Sequence, residues 1–448
     1  MSPMTRMRAP IDARPANAAG SRTVLARMER GHIACLLALC AGCPGGGAVE
    51  PTGDGLFAPD HVVVVDIEMR AADWDALRAE TRAAEDLIGE GCLTRPTTSP
   101  YTWFLADVSV DGVRYADVGV RKKGFYGSAS DTKPSLKISL DRYVDGQSHQ
   151  GIDALTLNNN IADPSQVKQC LGYGRFSAAG LPSSRCALAV VSVNGERIGT
   201  FTNVESIDRA FLRRHFDDDE GHLYEGALSD FRPQWVTTFE AKHDDDDRSD
   251  LDSVVAALEV DDASIEAALD TVVDLDRFID HWALEVLLMH WDGYARQTNN
   301  FLVYRSSSST RFTFIPWGMD VILQDDEALP WEVEGAPPGL AWAEGAIAHR
   351  LYRHPPTRAR YLSRVRALLS DVWREEEMKD EIAVMRAAIL PFIDAMPEGE
   401  RALVLSSMDD VARFVDERRA TIEARLDAEP PEWDRPLRAP WCLEPPTP

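Results

Sequence analysis

The amino-acid sequence predicts an α+β fold with a β-rich front and a helical rear. Three features carry that expectation. Segments of alternating or β-branched apolar residues crowd the region from 61 to 204 and are punctuated by turn dipeptides. One strongly apolar helical stretch, Leu275 to Met289, leads into a hairpin, and from Pro355 to Leu426 the apolar residues recur at helical spacing. Strands first and helices after, rather than strict alternation, separate this class from a parallel α/β sheet. The 448 residues suffice for one large elaborated domain or two to three ordinary ones. A content of 44% hydrophobic and 27% charged residues is that of a packed globular protein, which excludes collagen, low-complexity fibre and coiled coil.

Taken in order, His61-Val-Val-Val-Val-Asp-Ile is a β-branched strand. Ala71-Ala-Asp-Trp-Asp opens a helix, with acids in the first turn where the peptide dipoles are positive. Phe104 to Val118 alternates around Asp111-Gly112, residues that tolerate the left-handed backbone of a two-residue hairpin. Val118-Gly-Val-Arg-Lys-Lys is a strand running into a loop with two glycines, Gly124 and Gly127, and Lys133 to Leu140 is the next strand. Asp163-Pro-Ser165 signals a helix start for Gln166 to Ala179, which Gly180 closes. Ala187 to Val193 and Arg197 to Val204 pair around Asn194-Gly195, and Ser206 to His215 is a short charged helix. Two acidic runs, Asp217 to Glu220 and Asp244 to Asp247, read as solvated loop and helix N-terminus, because no regular calcium-ligand spacing follows them. Asn300 to Tyr304 and Arg311 to Pro316 form a hairpin, and the rear helices are read at Arg360 to Leu369, Glu381 to Phe392 and Met408 to Leu426.

The N-terminus points to export. Arg27 and Arg30 precede about nine apolar residues ending at Cys40-Ala41-Gly42-Cys43, the shape of a secretory signal and too short to span a bilayer. Small residues before Cys43 and the Gly/Pro tether after it resemble a bacterial lipobox, with Cys43 lipidated and the protein held at the cell envelope; an ordinary cleaved signal is the alternative. The expected organisation is a signal segment 1–43, a flexible linker 44–58, a domain 59–430 dividing near 225, and a Pro-rich tail 431–448. Four later cysteines, Cys92, Cys170, Cys186 and Cys442, permit two disulfides in an exported chain or stand as free thiols. The net charge is −26, and about −30 beyond residue 42 (41 basic, 71 acidic), so general nucleic-acid binding is excluded and a phosphate ligand needs a local basic pocket or a bridging divalent cation.

Two segments carry the chemistry. His290-Trp-Asp292-Gly-Tyr294 places a carboxylate in a loop after an apolar helix, and Asn299-Asn300 enter the following strand. Phe314-Ile-Pro-Trp317-Gly318-Met-Asp320 returns a second carboxylate after the hairpin. One Asp as base, with an Asn and a second Asp as hard oxygen ligands for Mg²⁺, is how phosphoryl transfer is arranged in protein kinases. The spacing alone is equally that of turn-forming residues beside strands.

A longer pattern resembles the CotH kinase family, secreted kinases related to spore-coat protein H. It comprises Val118-Gly-Val-Arg-Lys-Lys-Gly-Phe-Tyr-Gly-Ser, Lys133-Pro-Ser-Leu-Lys-Ile-Ser-Leu, Leu155-Thr-Leu-Asn-Asn-Asn160 with Asp163-Pro-Ser, and Asn194-Gly-Glu-Arg-Ile-Gly followed by Glu205-Ser-Ile-Asp-Arg-Ala-Phe-Leu, which is the most specific. The resemblance implies an atypical protein-kinase-like two-lobed fold binding ATP with Mg²⁺ or Mn²⁺ and phosphorylating an envelope or surface protein. It implies Asp292 as the catalytic carboxylate, Asn300 or Asn299 with Asp320 at the metal, and Gly124, Gly127 and Ser128 over the phosphates. Lys137, or alternatively Lys133, would contact phosphate, and Glu205 would sit at a nucleotide-contacting linker or cap the next helix.

Four departures weaken the implied activity. Gly318 stands where the family has a first Asp, Gln169 where it has a Glu that pairs with the phosphate lysine, and Glu225 where it has a Lys; the glycine loop carries Phe125 and Tyr126. The alternative to a kinase is therefore a surface binding module on the same fold, and a calcium-binding structural protein is the third reading.

Overall fold

A computed structural model describes residues 53–82, 95–125, 128–243, 247–324, 339–433 and 436–437. The front of the chain closes into a barrel. Its strands are β1 (Val62–Glu68), β2 (Phe104–Val110), β3 (Val113–Lys123), β4 (Ser135–Ser139), β5 (Ala154–Asn158), β6 (Cys186–Val193) and β7 (Glu196–Glu205), in the order β1-β2-β3-β4-β5-β7-β6. Every pairing is antiparallel except β1 with β6, which run parallel from Val62↔Leu188 to Ile67↔Val193 and so remove the free edges. The two expected hairpin turns are present, with Asp111 and Gly112 at φ 49° and 80° and Asn194 and Gly195 at 51° and 81°. The barrel core is Val63, Val65, Ile67, Val108, Val118, Val120, Leu136, Ile138, Leu155, Leu157, Val191 and Phe201, alternate residues of each strand as the two-residue period requires.

A second antiparallel sheet, in the order β11-β10-β8-β9, is built from β8 (His222–Gly226), β9 (Glu240–Ala241), β10 (Phe301–Arg305) and β11 (Thr313–Pro316). Around it lie α4 (Ser249–Leu258), α5 (Ile265–Asp270), α6 (Leu275–Leu288), α7 (Tyr294–Gln297), α8 (Ala346–Arg353), α9 (Pro355–Asp371), α10 (Glu375–Ile393) and α11 (Glu398–Asp427). Helix α6 is the axis of this region. Its Trp282 is fully buried, stacks on Tyr361 at 3.7 Å and donates to the carbonyl of Trp342 at 2.6 Å. Buried Arg418 of α11 donates to the terminal carbonyls of Val286 and Leu287, satisfying groups a helix end leaves orphaned. The fold is α+β, with the strands concentrated in front. Among the described residues no helix is long and apolar enough to cross a membrane.

Several boundaries differ from the sequence expectation. The chain is already folded at Gly53: a turn at Asp54–Phe57 buries Leu56 in the barrel core, so the linker is shorter than 44–58. Residues 222–226, expected at the end of the β-rich front, pair in the second sheet instead of the barrel. Residues 217–252 are more than a solvated loop, for they include β8, β9 and the start of α4. Asp218 binds the hairpin tip, accepting from Tyr304 Oη at 2.7 Å and Ser307 Oγ at 3.0 Å. The helix after Asp163 begins at Lys168, as α2 (Lys168–Ala178), because Gln166 is left-handed (φ 66°) and the buried Asp163 carboxylate accepts the Lys168 N–H at 3.0 Å. The expected 431–448 tail is docked at its start, where Tyr352 Oη donates to the Pro431 carbonyl at 2.9 Å and Trp433 is buried.

A disulfide joins Cys170 of α2 to Cys186 of β6 and ties the barrel to the helix packed on it. Cys92, Cys442 and the segment through Cys43 lie outside the described residues. With the partners 16 positions apart in sequence, closing this loop constrains the unfolded chain by ~3 kcal/mol. The double variant Cys170→Ala/Cys186→Ala is expected to lose about that much stability in a urea titration while keeping its far-UV circular dichroism; an unchanged midpoint would count against the bridge.

Candidate active site

The loop after α6 is held from beneath by Glu285. This buried carboxylate accepts the backbone N–H groups of Tyr294 and Ala295, both at 2.8 Å, and His281 Nε2 at 3.2 Å. Those donors and the neighbouring imidazoles hold its pKa below the usual value against the opposing effect of burial. His290 Nε2 reaches the Gly318 carbonyl at 3.3 Å and so links the Asp292 loop to the strand end that carries Asp320. Met289, the C-cap of α6, is left-handed (φ 56°), which turns the chain so that Asp292 faces back toward β10.

There the carboxylate is closed on by both asparagines. Asn299 Nδ2 donates to Asp292 Oδ1 at 3.0 Å and Asn300 Nδ2 to Oδ2 at 2.6 Å. Asn299 Oδ1 in turn accepts the Leu228 N–H at 3.2 Å. Thr298 and Asn300 have φ of 53° and 49°, sparsely populated values for residues with a Cβ, and such values persist only where the surroundings impose them.

Asp292, Asn299, Asn300 and Asp320 line one cavity of about 1510 Å³ together with Gly124, Ser128 and Lys137. Of the residues proposed from sequence, Lys133 and Glu205 are not on its wall. Lys133 lies along Gly199 and the Phe201 ring, 5.1 Å from its centroid. Glu205 is buried with its carboxylate taken up by Arg185 (2.6 Å to Nη2, 2.9 Å to the backbone N–H) and by Arg214. It does not cap the next helix either: α3 (Arg209–His215) is capped by Asp208, which accepts the Ala210 and Phe211 N–H groups. Gly127 and Tyr126 lie outside the described residues. Phe125 borders the cavity with Arg82 over its ring and does not fill it. At the loop's entry a Cβ on Gly124 (φ 109°) would fall 2.1 Å from Ser128 Oγ, so glycine is obligatory there.

Lys123 is the residue sequence reasoning passed over. Strand alternation keeps Lys122 on the barrel-core face of Val118 and Val120, where it is buried and donates to the Arg78 and Glu80 carbonyls, and puts Arg121 and Lys123 on the opposite face, at the cavity wall. Lys123 Nζ donates to Asn158 Oδ1 and faces Asp320; burial drives its pKa down to about 8, partly opposed by that carboxylate. Lys137 lies toward another part of the wall, bonded to Thr156 Oγ1 at 3.2 Å and Ser206 Oγ at 2.5 Å, and burial lowers it likewise to about 8. Burial raises Asp320, as does the nearby Asp163, while Lys123 and Lys168 pull the other way. Glu225 lines the cavity paired with Lys242 at 2.6 Å, a lysine that Glu240 also meets at 2.9 Å.

Comparison with known proteins decides what this constellation belongs to. The family described as CotH kinase protein matches residues 120–422, about two thirds of the chain. The chain belongs to the CotH kinase protein family. Inner spore coat protein H of Bacillus subtilis (strain 168) is 24% identical over 276 residues, covering 58% of this chain and 74% of that protein. The Helicobacter pylori proinflammatory kinase CtkA overlaps at 11% identity and a TM-score of 0.27, covering 65% of this chain and 94% of that one.

Within the CotH pattern, Gly318 is the departure with a structural counterpart. Gly318 has φ 58°, and a Cβ there would lie 2.4 Å from Asn300 Cγ. The Asn300 carboxamide thus occupies the space from which a side chain at 318 would start. Gly318→Asp is therefore expected to cost about 1–3 kcal/mol in urea unfolding rather than to rebuild a second carboxylate ligand. Unchanged or increased stability would contradict the close packing of Asn300.

Proposed function

We propose that the protein is an exported atypical kinase of the CotH type, with a two-lobed kinase-like arrangement, that transfers the γ-phosphoryl group of ATP to Ser or Thr hydroxyls of envelope or surface proteins. The observation that carries this reading is the Asp292 carboxylate fixed by two asparagines in a cavity that also holds Asp320 and Lys123. Asp292 would orient the acceptor hydroxyl and take its proton. The Gly124 backbone and the Lys123 ammonium would hold phosphate oxygens. Catalysis on such a site is mainly positioning and electrostatic stabilisation.

The donor set suits Mg²⁺ or Mn²⁺ brought in with phosphates. Asn300 and Asp320 offer hard oxygens on one cavity, whereas among the described residues no group of three or more His, Cys, Asp or Glu could cage an ion. Mg²⁺ commonly binds through one or two carboxylates plus substrate phosphates, a mode these residues match. When bound, the ion would neutralise charge developing between the bridging oxygens. Export is supported by the Cys170–Cys186 disulfide, a bond that persists in oxidising compartments. The lipid anchor at Cys43 and the protein substrate are part of the proposal, and the acidic surface argues against nucleic acid.

A second reading, a nucleotide-binding module with little or no turnover, is favoured by the Asn300 carboxamide packed over Gly318, which leaves Asp320 without the second carboxylate usual in the family.

Thermal melting separates these from an inert scaffold. ATP with Mn²⁺ is expected to raise the midpoint, because a ligand of the native state alone must stabilise it. Labelled phosphate incorporated by the wild type and absent in Asp292→Asn supports the kinase; a shift without incorporation supports the module; neither result retires both.

ATP affinity is also expected to depend on pH. Lys123 and Lys137 have pKa values lowered to about 8, so both are cationic below that value and lose their protons as pH rises through it. Calorimetric affinity for ATP should therefore be highest below pH 8 and fall toward pH 9.5. A flat profile would mean that neither lysine meets phosphate.

A further inference from the structure

The structure assigns to Asn158 and Gln169 the task of orienting Lys123 through a chain of neutral carboxamides. The chain is directional. Lys123 Nζ donates to Asn158 Oδ1, and Asn158 Nδ2 donates to Gln169 Oε1 at 2.6 Å. Gln169 Nε2 donates to Asn160 Oδ1 at 3.3 Å, which also accepts Thr202 Oγ1 at 2.8 Å. Asn158 and Gln169 each both donate and accept, so each is held in one orientation, and Asn160 anchors the end of the chain by accepting from Gln169 and Thr202. Gln169, Asn160 and Thr202 are all buried, which removes competing water.

The chemistry differs from that of an ion pair. A carboxylate bonded to the lysine would fix it and also neutralise it. An amide relay fixes the ammonium but leaves its charge; among the described residues the bond to Asn158 is its only hydrogen bond, and Nζ also lies over the Trp317 ring at 5.9 Å, so two N–H groups remain for a ligand in the cavity. Lys123 is thereby presented to an anionic ligand as an oriented cation with no carboxylate bonded to it, Asp320 facing it without a hydrogen bond. This inference rests on the reading of the cavity as a phosphate site. Asn158 and Gln169 act through Lys123 and are positioning residues.

The relay also accepts a carboxylate at one place. In Gln169→Glu the new oxygen keeps the bond from Asn158 Nδ2. Asn160 Nδ2 is buried without a partner, so turning that carboxamide puts an NH₂ group where Oδ1 stood, able to donate both to Glu at 169 and to Thr202. Gln169→Leu has no such remedy.

The experiment pairs ATP binding by calorimetry with acylation of lysines by an N-hydroxysuccinimide acetate, read by mass spectrometry with and without ATP. Lys137, held by Thr156 and Ser206 outside the relay, is the internal control. Asn158→Ala and Gln169→Leu are each expected to weaken ATP binding about tenfold and to abolish ATP protection at Lys123 while leaving the Lys137 footprint unchanged. Gln169→Glu should restore both measures to within about threefold of wild type. Equal footprint changes at both lysines, or unchanged binding in both relay variants, would overturn the relay. Wild-type protein that binds no ATP would retire the phosphate site, and the relay with it. Should Gln169→Leu fail to fold, Asn158→Ala against Gln169→Glu carries the same contrast.

Discussion

Two consecutive carboxamides, Asn299 and Asn300, closing on one carboxylate form the constraint on which the site depends. Consecutive residues of a regular strand point to opposite faces, so both can reach Asp292 only where the backbone is irregular. The left-handed Thr298 and Asn300 supply that irregularity, and both cost conformational energy. The compensation comes from below. Glu285 takes two backbone N–H groups of the following turn and a histidine, and the Trp317 N–H bonds the Asn300 carbonyl at 3.1 Å. Loss of any of these would free the asparagines to relax to ordinary dihedrals and release the carboxylate they hold.

Charge in the cavity follows from pairing rather than from composition. A chain with net charge −26 has Arg121, Lys123, Lys137 and Lys242 among the residues that line this cavity. Lys242 is matched by Glu225 and Glu240, while Lys123 and Lys137 are bonded to neutral oxygens. Burial without a bonded carboxylate is why both titrate near 8. Lys123 and Lys137 thus stand in the cavity as two lysines whose hydrogen-bonded partners carry no charge.

The departures from the family pattern form a connected set in space. Gln169 is tied through Asn158 to Lys123, Lys123 faces Asp320, and Asp320 follows Gly318, over which Asn300 packs. Where an ion pair and a second carboxylate are usual, this chain has amides and a glycine.

Sequence alone settled what local physics dictates. Alternation and turn dipeptides located most barrel strands, apolar periodicity located α6 and the rear helices, and the spacing of Asp292, Asn299, Asn300 and Asp320 marked the carboxylates and amides that share the cavity. The three-residue run of Arg121, Lys122 and Lys123 was legible as a strand, but period two says only that its first and third residues share a face, not which face meets the site. Lys133 and Lys137, four apart, would share a face if both were in the strand, but β4 begins at Ser135 and Lys133, ahead of it, turns to Gly199 and Phe201. Glu205 looked like a ligand because its neighbours in sequence do not reveal Arg185 and Arg214, which reach it from the start of β6 and from α3. Closure of β1 on β6, the amide chain into Lys123 and the occupation of the space above Gly318 are contacts between residues far apart along the chain. Tertiary structure alone decided them, because a side chain's partner is set by where the backbone returns, and no local preference encodes that return.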